Sequence, residues 1–124
     1  MIDFKNASFM KLKEADNSEG QAMVGDLLID GETIMSSFKT VRDMVMFTNK
    51  RIIAVNVQGI TGKKKDFTSL PYSKIQAFSV ESAGTFDLDA ELELWFSGLG
   101  KVRFEFSSKF DVKGFNRFLG SYIL

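Results

Sequence analysis

The stretch ELELWFSGLGKVRFEF, residues 91–106, decides the fold class, because each of its halves alternates apolar and polar side chains. A period of two is typical of a β-strand with one buried face. The apolar positions are Leu92, Leu94, Phe96, Val102, Phe104 and Phe106. Since both apolar faces must meet the same core, the connecting loop needs an odd number of residues, and the three residues 98–100 satisfy that condition. The sequence therefore predicts an antiparallel hairpin.

Further strands precede this hairpin, and a helix follows it. The complete set of predicted strands is 33–40, 44–49, 51–57, 64–70, 74–83, 91–97 and 101–107. Residues 110–124 carry an apolar stripe at helical spacing, formed by Val112, Phe115, Phe118, Leu119 and Tyr122. A run of strands followed by one helix is typical of a sheet curled around a core, with the helix across an open end. The predicted fold is mainly β, with seven antiparallel strands and a C-terminal capping helix.

The N-terminal segment, 1–31, is predicted to be helical. Ser18 followed three residues later by Gln21 is a candidate capping box. Apolar residues after it predict one buried helical face, at Met23, Val24, Leu27 and Leu28. A second apolar group predicts a shorter helical turn upstream, at Phe4, Phe9, Met10 and Leu12. The segment is interpreted as a leader in front of a domain that spans 32–124.

Composition argues against several classes of function. The chain of 124 residues has no cysteine and no histidine, which disfavours most hydrolases and most transition-metal enzymes. Sixteen basic residues balance sixteen acidic residues, so the basic excess of nucleic-acid binders is missing. We therefore expect no catalytic activity, no cofactor, no metal and no nucleic-acid partner. The first residues lack the apolar core of a signal peptide, which predicts a cytoplasmic or peripheral membrane protein.

Four linked motifs occupy the centre of the chain: FTNKRII at 47–53, QGITGKK at 58–64, PYSKI at 71–75 and FSVESAGTFDLDAELEL at 78–94. Together they resemble the bacterial pleckstrin-homology-like (PH-like) family, and the resemblance extends over 32–124. It implies a partial barrel of seven antiparallel strands in two near-orthogonal sheets, capped by the C-terminal helix. The bacterial family has no established catalytic role and tends to assemble into rings, and the resemblance implies the same for this chain.

One loop departs from the PH domains that bind phosphoinositides. Those eukaryotic domains place several basic residues in the loop between their first two strands. Here that loop, 39–43, is short and contains Asp43 together with Lys39 and Arg42. The resemblance therefore does not carry inositol-phosphate binding over to this chain.

Three consecutive lysines, Lys63, Lys64 and Lys65, follow two glycines in the predicted loop between the third and fourth strands. Such a cluster creates a positive potential that would attract an anion or a lipid headgroup. The same pattern is typical of a solvated loop, and that interpretation is favoured. Lys50 and Arg51 in another turn are further candidates for the basic patch, although an ion pair of Arg51 with an acid is favoured.

Acidic residues alternate along the next predicted loop and strand, at Asp87, Asp89, Glu91 and Glu93. Carboxylates are the ligands that Ca²⁺ and Mg²⁺ prefer, but the spacing lacks the central glycine and distal glutamate of a calcium loop. No nucleophile or oxyanion donor accompanies them, which disfavours acid–base catalysis. These acids are interpreted as an exposed face that offers a contact for the lysine cluster of a neighbouring copy.

Trp95 alternates with Leu94 and Phe96, so it is predicted on the opposite face of its strand. An outward-facing tryptophan is typical of a contact site, while a buried one would pack under the N-terminal segment. With a loop at 98–100, Trp95 would face Arg103 across the hairpin.

The function predicted from the sequence is a non-catalytic PH-like binding or scaffold module that binds copies of itself as a homo-oligomeric ring. The predicted contact residues are Lys63, Lys64, Lys65, Asp87, Asp89, Glu91 and Trp95. The alternative is a membrane adaptor that binds anionic phospholipid through the lysine cluster with Lys39 and Arg42. Self-association is preferred to lipid binding, and other proteins are further candidate partners.

Overall fold

The computed structural model describes residues 1–4, 9–84, 89–107 and 110–124. The elements are β1 (Phe9–Ala15), α1 (Asn17–Val24), β2 (Ile34–Lys39), β3 (Met44–Thr48), β4 (Arg51–Gln58), β5 (Lys64–Pro71), β6 (Ile75–Glu81), β7 (Ala90–Phe96), β8 (Gly100–Phe106) and α2 (Val112–Ile123). Short 3-10 turns follow α1 and precede β6. The chain divides into two compact units, the first made of 1–2 and 14–71, the second of 3–13 and 72–124.

The first unit is built on an antiparallel sheet in the order β5-β4-β3-β2. Every residue of β3 is buried, and so are residues 52–55 of β4. One face of these strands forms a cluster with the end of α1, made of Val24, Met44, Met46, Ile53 and Val55. The central strands are therefore covered on both faces, which explains their unbroken apolar runs.

The N-cap of helix α1 is Asp16, two residues before the predicted cap Ser18. The Asp16 carboxylate accepts a hydrogen bond from the Ser18 N–H at 2.9 Å, and Glu19 accepts one from the Asp16 N–H at 3.2 Å. These two bonds form a capping box at Asp16 and Glu19. The capping box predicted at Ser18 and Gln21 is therefore wrong. Asp16 precedes the helix in extended conformation, as a cap residue must, whereas Ser18 already lies inside the helix.

The second unit is built on a sheet in the order β1-β8-β7-β6, in which β1 runs parallel to β8. Its fully buried side chains include Phe9, Leu12, Leu92, Leu94, Phe104 and Phe106. Helix α2 contacts β6 and buries Phe115 and Leu119, two residues of the predicted stripe. The amphipathic C-terminal helix is therefore confirmed.

All seven predicted strands are present within two residues of their predicted ends, but the described chain contains an eighth. Strand β1 lies where the sequence predicted a helical turn. Its residues Phe9 and Leu12 are spaced as on a helix, yet they pair with Phe104 and Phe106 across a bulge, where Lys11 has a φ of 57°. Burial against β8 outweighs the local preference, because tertiary contacts routinely override weak propensities.

The hairpin of β7 and β8 has the predicted odd loop, one residue earlier than expected. The turn is 97–99, and Phe96 pairs with Gly100. Trp95 therefore faces Lys101, and Arg103 faces Glu93, so the predicted pairing of Trp95 with Arg103 is wrong. Gly98 and Gly100 both have positive φ, at 82° and 90°, and this spacing fixes the position of the turn.

Candidate functional site

Two hairpin loops of the first unit lie at the same end of its sheet. Residues 40–43 join β2 to β3, and residues 59–63 join β4 to β5. The strand pairs that place the loops together are Lys39–Met44, Met44–Val55 and Gln58–Lys64. We call residues 40–43 and 59–63 the distal loops.

Arg42 and Asp43 hold the distal loops in shape. The Arg42 guanidinium donates a hydrogen bond to the Gly59 carbonyl oxygen, which joins the two loops directly. The Asp43 carboxylate accepts hydrogen bonds from the backbone N–H of Val57 at 2.9 Å and from the amide of Asn56 at 3.3 Å. Both charged side chains therefore bind groups of the chain itself: Arg42 joins the two loops, and Asp43 joins the first loop to the end of β4.

The loop between β4 and β5 depends on two glycines. Gly59 and Gly62 have φ angles of 75° and 68°, a region that side chains with a Cβ rarely adopt. Between them lies Ile60, and the lysine cluster follows. The glycine positions therefore set where the lysines leave the turn.

The lysine cluster, Lys63, Lys64 and Lys65, is exposed. Within the part of the chain that the structure describes, none of the three takes part in an ion pair. The Arg42 guanidinium lies near the residue before the cluster, because a Cβ atom added to Gly62 would be 3.8 Å from its Nη2 atom. Lys39 does not join it, because its ammonium group binds Glu19 at 2.7 Å and lowers the pKa of that carboxyl.

Two aliphatic residues of the distal loops were not among the candidates predicted from the sequence. The side chains of Val41 and Ile60 are fully exposed, at 101% and 105% of the reference area. An apolar residue between turn-forming and charged residues is the signal that could have identified them, since hairpin loops are normally polar. We call Val41, Arg42, Ile60 and the lysine cluster the distal surface.

The predicted acidic face belongs to the second unit, and its described members have partners there. Asp87 lies outside the described residues. Asp89 binds Lys11 at 3.7 Å, and Glu91 binds Arg103 through the Nε atom at 3.2 Å and through Nη2. Glu93 binds Lys101 at 2.9 Å. These acids are therefore neutralised by cations of the same unit.

A metal site is not assembled from these carboxylates in the part of the chain that the structure describes. No group of three or more potential ligands occurs among residues 1–4, 9–84, 89–107 and 110–124. The same described ranges contain no helix that combines the length and apolar character needed to cross a membrane.

Trp95 lies between Ala77 and Lys101 on neighbouring strands and is 36% exposed. The structure thus leaves about a third of the residue's surface accessible, and Trp95 lies on the face of β7 opposite Leu94. Trp95 remains a candidate contact residue.

Arg51 forms the ion pair that the sequence favoured. Its guanidinium binds both carboxylate oxygens of Glu32 at 2.9 Å, and the Thr48 hydroxyl donates to the same carboxylate at 2.7 Å. Arg51 is therefore a structural residue of the first unit rather than part of the distal surface.

The comparison with known proteins agrees with this arrangement of strands and helix. A family model described as bacterial PH domain matches residues 3–123, nearly the whole chain. The chain belongs to the bacterial PH domain family. The match begins inside the segment that the sequence assigned to a separate leader.

Solved PH domain structures from two Shewanella species resemble the chain. A DUF1696 family protein with a pleckstrin-homology domain from Shewanella loihica PV-4 is 39% identical with a TM-score of 0.80, over 93% of this chain and 99% of that one. The pleckstrin homology domain from Shewanella amazonensis SB2B is 42% identical with a TM-score of 0.67, over 96% and 93%. The mainly β, PH-like fold with a C-terminal helix is therefore confirmed.

The curated relatives are Bacillus subtilis proteins. YjqA is 54% identical over 78 residues, which are 63% of this chain and 62% of YjqA. YozO is 44% identical over 68 residues, which are 55% of this chain and 59% of YozO. The matched stretches thus span less than two thirds of each relative's own length.

Proposed function

We propose that the chain is a non-catalytic PH-like adaptor that docks on anionic membrane surfaces through the distal surface. The observation that carries this proposal is the exposed lysine cluster, which has no ion-pair partner among the described residues and lies beside two joined loops. Each lysine or arginine close to an anionic leaflet contributes about 1 kcal/mol of attraction. The absence of cysteine and histidine from the sequence supports the non-catalytic part.

Membrane docking takes precedence over the charge-based ring contact for a reason of charge pairing. The lysine cluster keeps its positive potential, whereas Asp89 and Glu91 already bind Lys11 and Arg103. A neighbouring copy would have to compete with those cations for the acids. An anionic leaflet offers unpaired phosphates and therefore complements the cluster better.

Vesicle binding tests the proposal. The protein is mixed with vesicles of phosphatidylcholine alone or of phosphatidylcholine with phosphatidylglycerol, and the bound fraction is measured by sedimentation. We expect binding only to the mixed vesicles, weakening as the salt concentration rises. Reversing the cluster with Lys63→Glu, Lys64→Glu and Lys65→Glu should lower the partition coefficient by about a hundredfold or more.

The matched control reverses three exposed lysines outside the distal loops, Lys50, Lys74 and Lys113, to glutamate. It changes the net charge by the same amount, so a comparable loss would show a general charge effect and contradict the proposed site. Failure of the unaltered protein to bind the mixed vesicles at low salt would overturn the proposal itself.

Self-association is the second candidate, and the strand edges favour it. In the described part of the chain, β5 and β6 each have one hydrogen-bonded strand neighbour. Such edges present unpaired backbone groups that another chain can pair with. Phe67 on β5 is 42% exposed, which gives that edge an apolar contact. We propose that copies of the chain pair through these edges into a homo-oligomer.

Absolute mass by light scattering, at low and high salt, tests this second candidate. We expect a mass of several subunits that persists at high salt, because backbone pairing and apolar contact are only weakly screened. Phe67→Lys should reduce the mass, since lysine on an edge strand opposes pairing. The control is Ile29→Lys, another exposed apolar position. A monomer at both salt concentrations would exclude edge pairing.

A further inference from the structure

Val41 and Ile60 form a pair of exposed aliphatic side chains on two loops that are bonded to each other. The Arg42–Gly59 hydrogen bond joins the loops, and each aliphatic residue adjoins one of its two ends in sequence. Their complete exposure means that neither side chain contributes to the core. Single exposed apolar residues are common, but two on adjoining loops beside an unpaired basic cluster form a surface that requires an explanation.

The chemistry around this pair fits a lipid surface better than a protein surface. Lysine is depleted in protein interfaces, which are anchored by aromatic residues and arginine. At a membrane, lysines stay with the phosphates while neighbouring apolar side chains enter the hydrocarbon layer. The distal surface has that arrangement of residue types, with the lysine cluster directly after Ile60 in the same loop.

The groups between the loops do not resemble a pocket that selects one headgroup. The Arg42 guanidinium binds the Gly59 carbonyl, and the Asp43 carboxylate binds the Val57 N–H and the Asn56 amide. These bonds stiffen the loops and engage the charged groups of Arg42 and Asp43 with the chain itself. The fully exposed aliphatic side chains of the loops are Val41 and Ile60, and the lysine cluster follows Ile60 in the sequence.

We infer that Val41 and Ile60 insert into the apolar layer of an anionic bilayer when the distal loops dock. This inference rests on the membrane docking proposed above and adds how the surface is held there. Electrostatic attraction brings the loops to the leaflet, and burial of the two side chains then supplies a component that salt does not screen. Because the loops are already bonded together, little conformational entropy is lost on insertion.

Removing the aliphatic side chains without changing charge tests the inference. The double variant Val41→Ser, Ile60→Ser should lower the partition coefficient on phosphatidylglycerol-containing vesicles by roughly tenfold or more. It should also lose the residual binding that the unaltered protein keeps at high salt. The matched control, Ile29→Ser with Leu124→Ser, removes two other exposed aliphatic residues and should bind like the unaltered protein.

A fluorescent probe reports insertion directly. Trp95 is the single tryptophan, so Trp95→Phe provides a silent background in which Ile60→Trp or Ile29→Trp is the only indole. With anionic vesicles, the probe at position 60 should shift its emission to the blue and be quenched by lipids with brominated acyl chains. The probe at position 29 should show neither effect.

The outcomes distinguish insertion from docking. If the unaltered protein binds the vesicles but the serine double variant binds equally well, the aliphatic pair serves another partner and insertion is wrong, while docking stands. Unshifted emission at position 60, or equal quenching at position 29, would likewise contradict insertion alone. If the unaltered protein does not bind at all, both docking and insertion are overturned.

Discussion

At the scale of single residues, the buried carboxylate of Glu32 dominates the electrostatics of the first unit. Its side chain is fully inaccessible, and it accepts hydrogen bonds from Arg51, from Thr48 and from the Ile29 N–H. Burial alone would raise the pKa of Glu32, but the hydrogen bonds from Arg51, Thr48 and Ile29 outweigh it, so the pKa lies below its ordinary value. The Glu32–Arg51 ion pair joins the segment before β2 to the hairpin of β3 and β4.

Replacing Glu32 with glutamine should destabilise the protein by about 3 kcal/mol at neutral pH, because the Arg51 guanidinium then loses its counter-charge in a mostly buried site. Urea unfolding of both proteins measures the difference. The matched control is Glu19→Gln, which breaks the exposed pair with Lys39 and should cost far less.

The difference in stability between the unaltered protein and the Glu32→Gln variant depends on pH. The folded pKa of Glu32 lies below the unfolded value. Its contribution to the stability of the fold is therefore complete above the unfolded pKa of about 4.3, and it is lost as pH falls through the folded pKa. The stability gap between the unaltered protein and the glutamine variant should therefore narrow in acid. A gap that stays constant down to low pH would contradict the ionised pair.

At the scale of elements, α1 packs closely against the sheet of the first unit. Gly20 lies so close that a Cβ atom there would be 2.4 Å from the Ser37 Oγ and 2.9 Å from the Met46 Cγ. Ser37 is buried, and its hydroxyl donates to the Asn17 side chain at 3.0 Å. Neither neighbour can move without losing a hydrogen bond or disturbing the core.

Gly20→Ala should therefore lower the free energy of unfolding by about 1 to 2 kcal/mol, although alanine is the better helix former by about 1 kcal/mol. Urea unfolding again measures the effect. An increase in stability would show that α1 is not held against the sheet as described.

The control uses Gly25, the C-cap residue that follows the same helix. A Cβ at Gly25 would meet only the side chain of Gln21, whose amide nitrogen lies 2.6 Å away and belongs to an exposed, flexible residue. Gly25→Ala should therefore leave stability unchanged or raise it, because the gain in helix propensity remains while the contact relaxes.

At the scale of the whole molecule, a net charge of zero conceals an uneven distribution of ion pairs. The described acids of β7 are paired with cations of their own unit, whereas the lysine cluster of the first unit has no such partner among the described residues. Exposed ion pairs contribute little to stability, so salt should affect binding by the distal surface far more than folding. The proposed adaptor role follows from where charge is left unpaired rather than from total charge.

The amino-acid sequence by itself determined the seven strands predicted between 33 and 107, the amphipathic helix α2 and the odd loop of the final hairpin. These are local properties, because alternation and helical spacing appear wherever one face of an element is buried. It also identified the lysine cluster and the ion pair of Arg51.

Only the tertiary structure decided the features that depend on distant partners. Strand β1 forms because Phe9 and Leu12 are buried against β8, and Asp89 is neutralised because β1 brings Lys11 to it. The exposure of Val41 and Ile60 likewise follows from which loops the sheet places together. The physical reason is that burial and charge pairing are set by contacts between residues far apart in the chain, which periodicity cannot report.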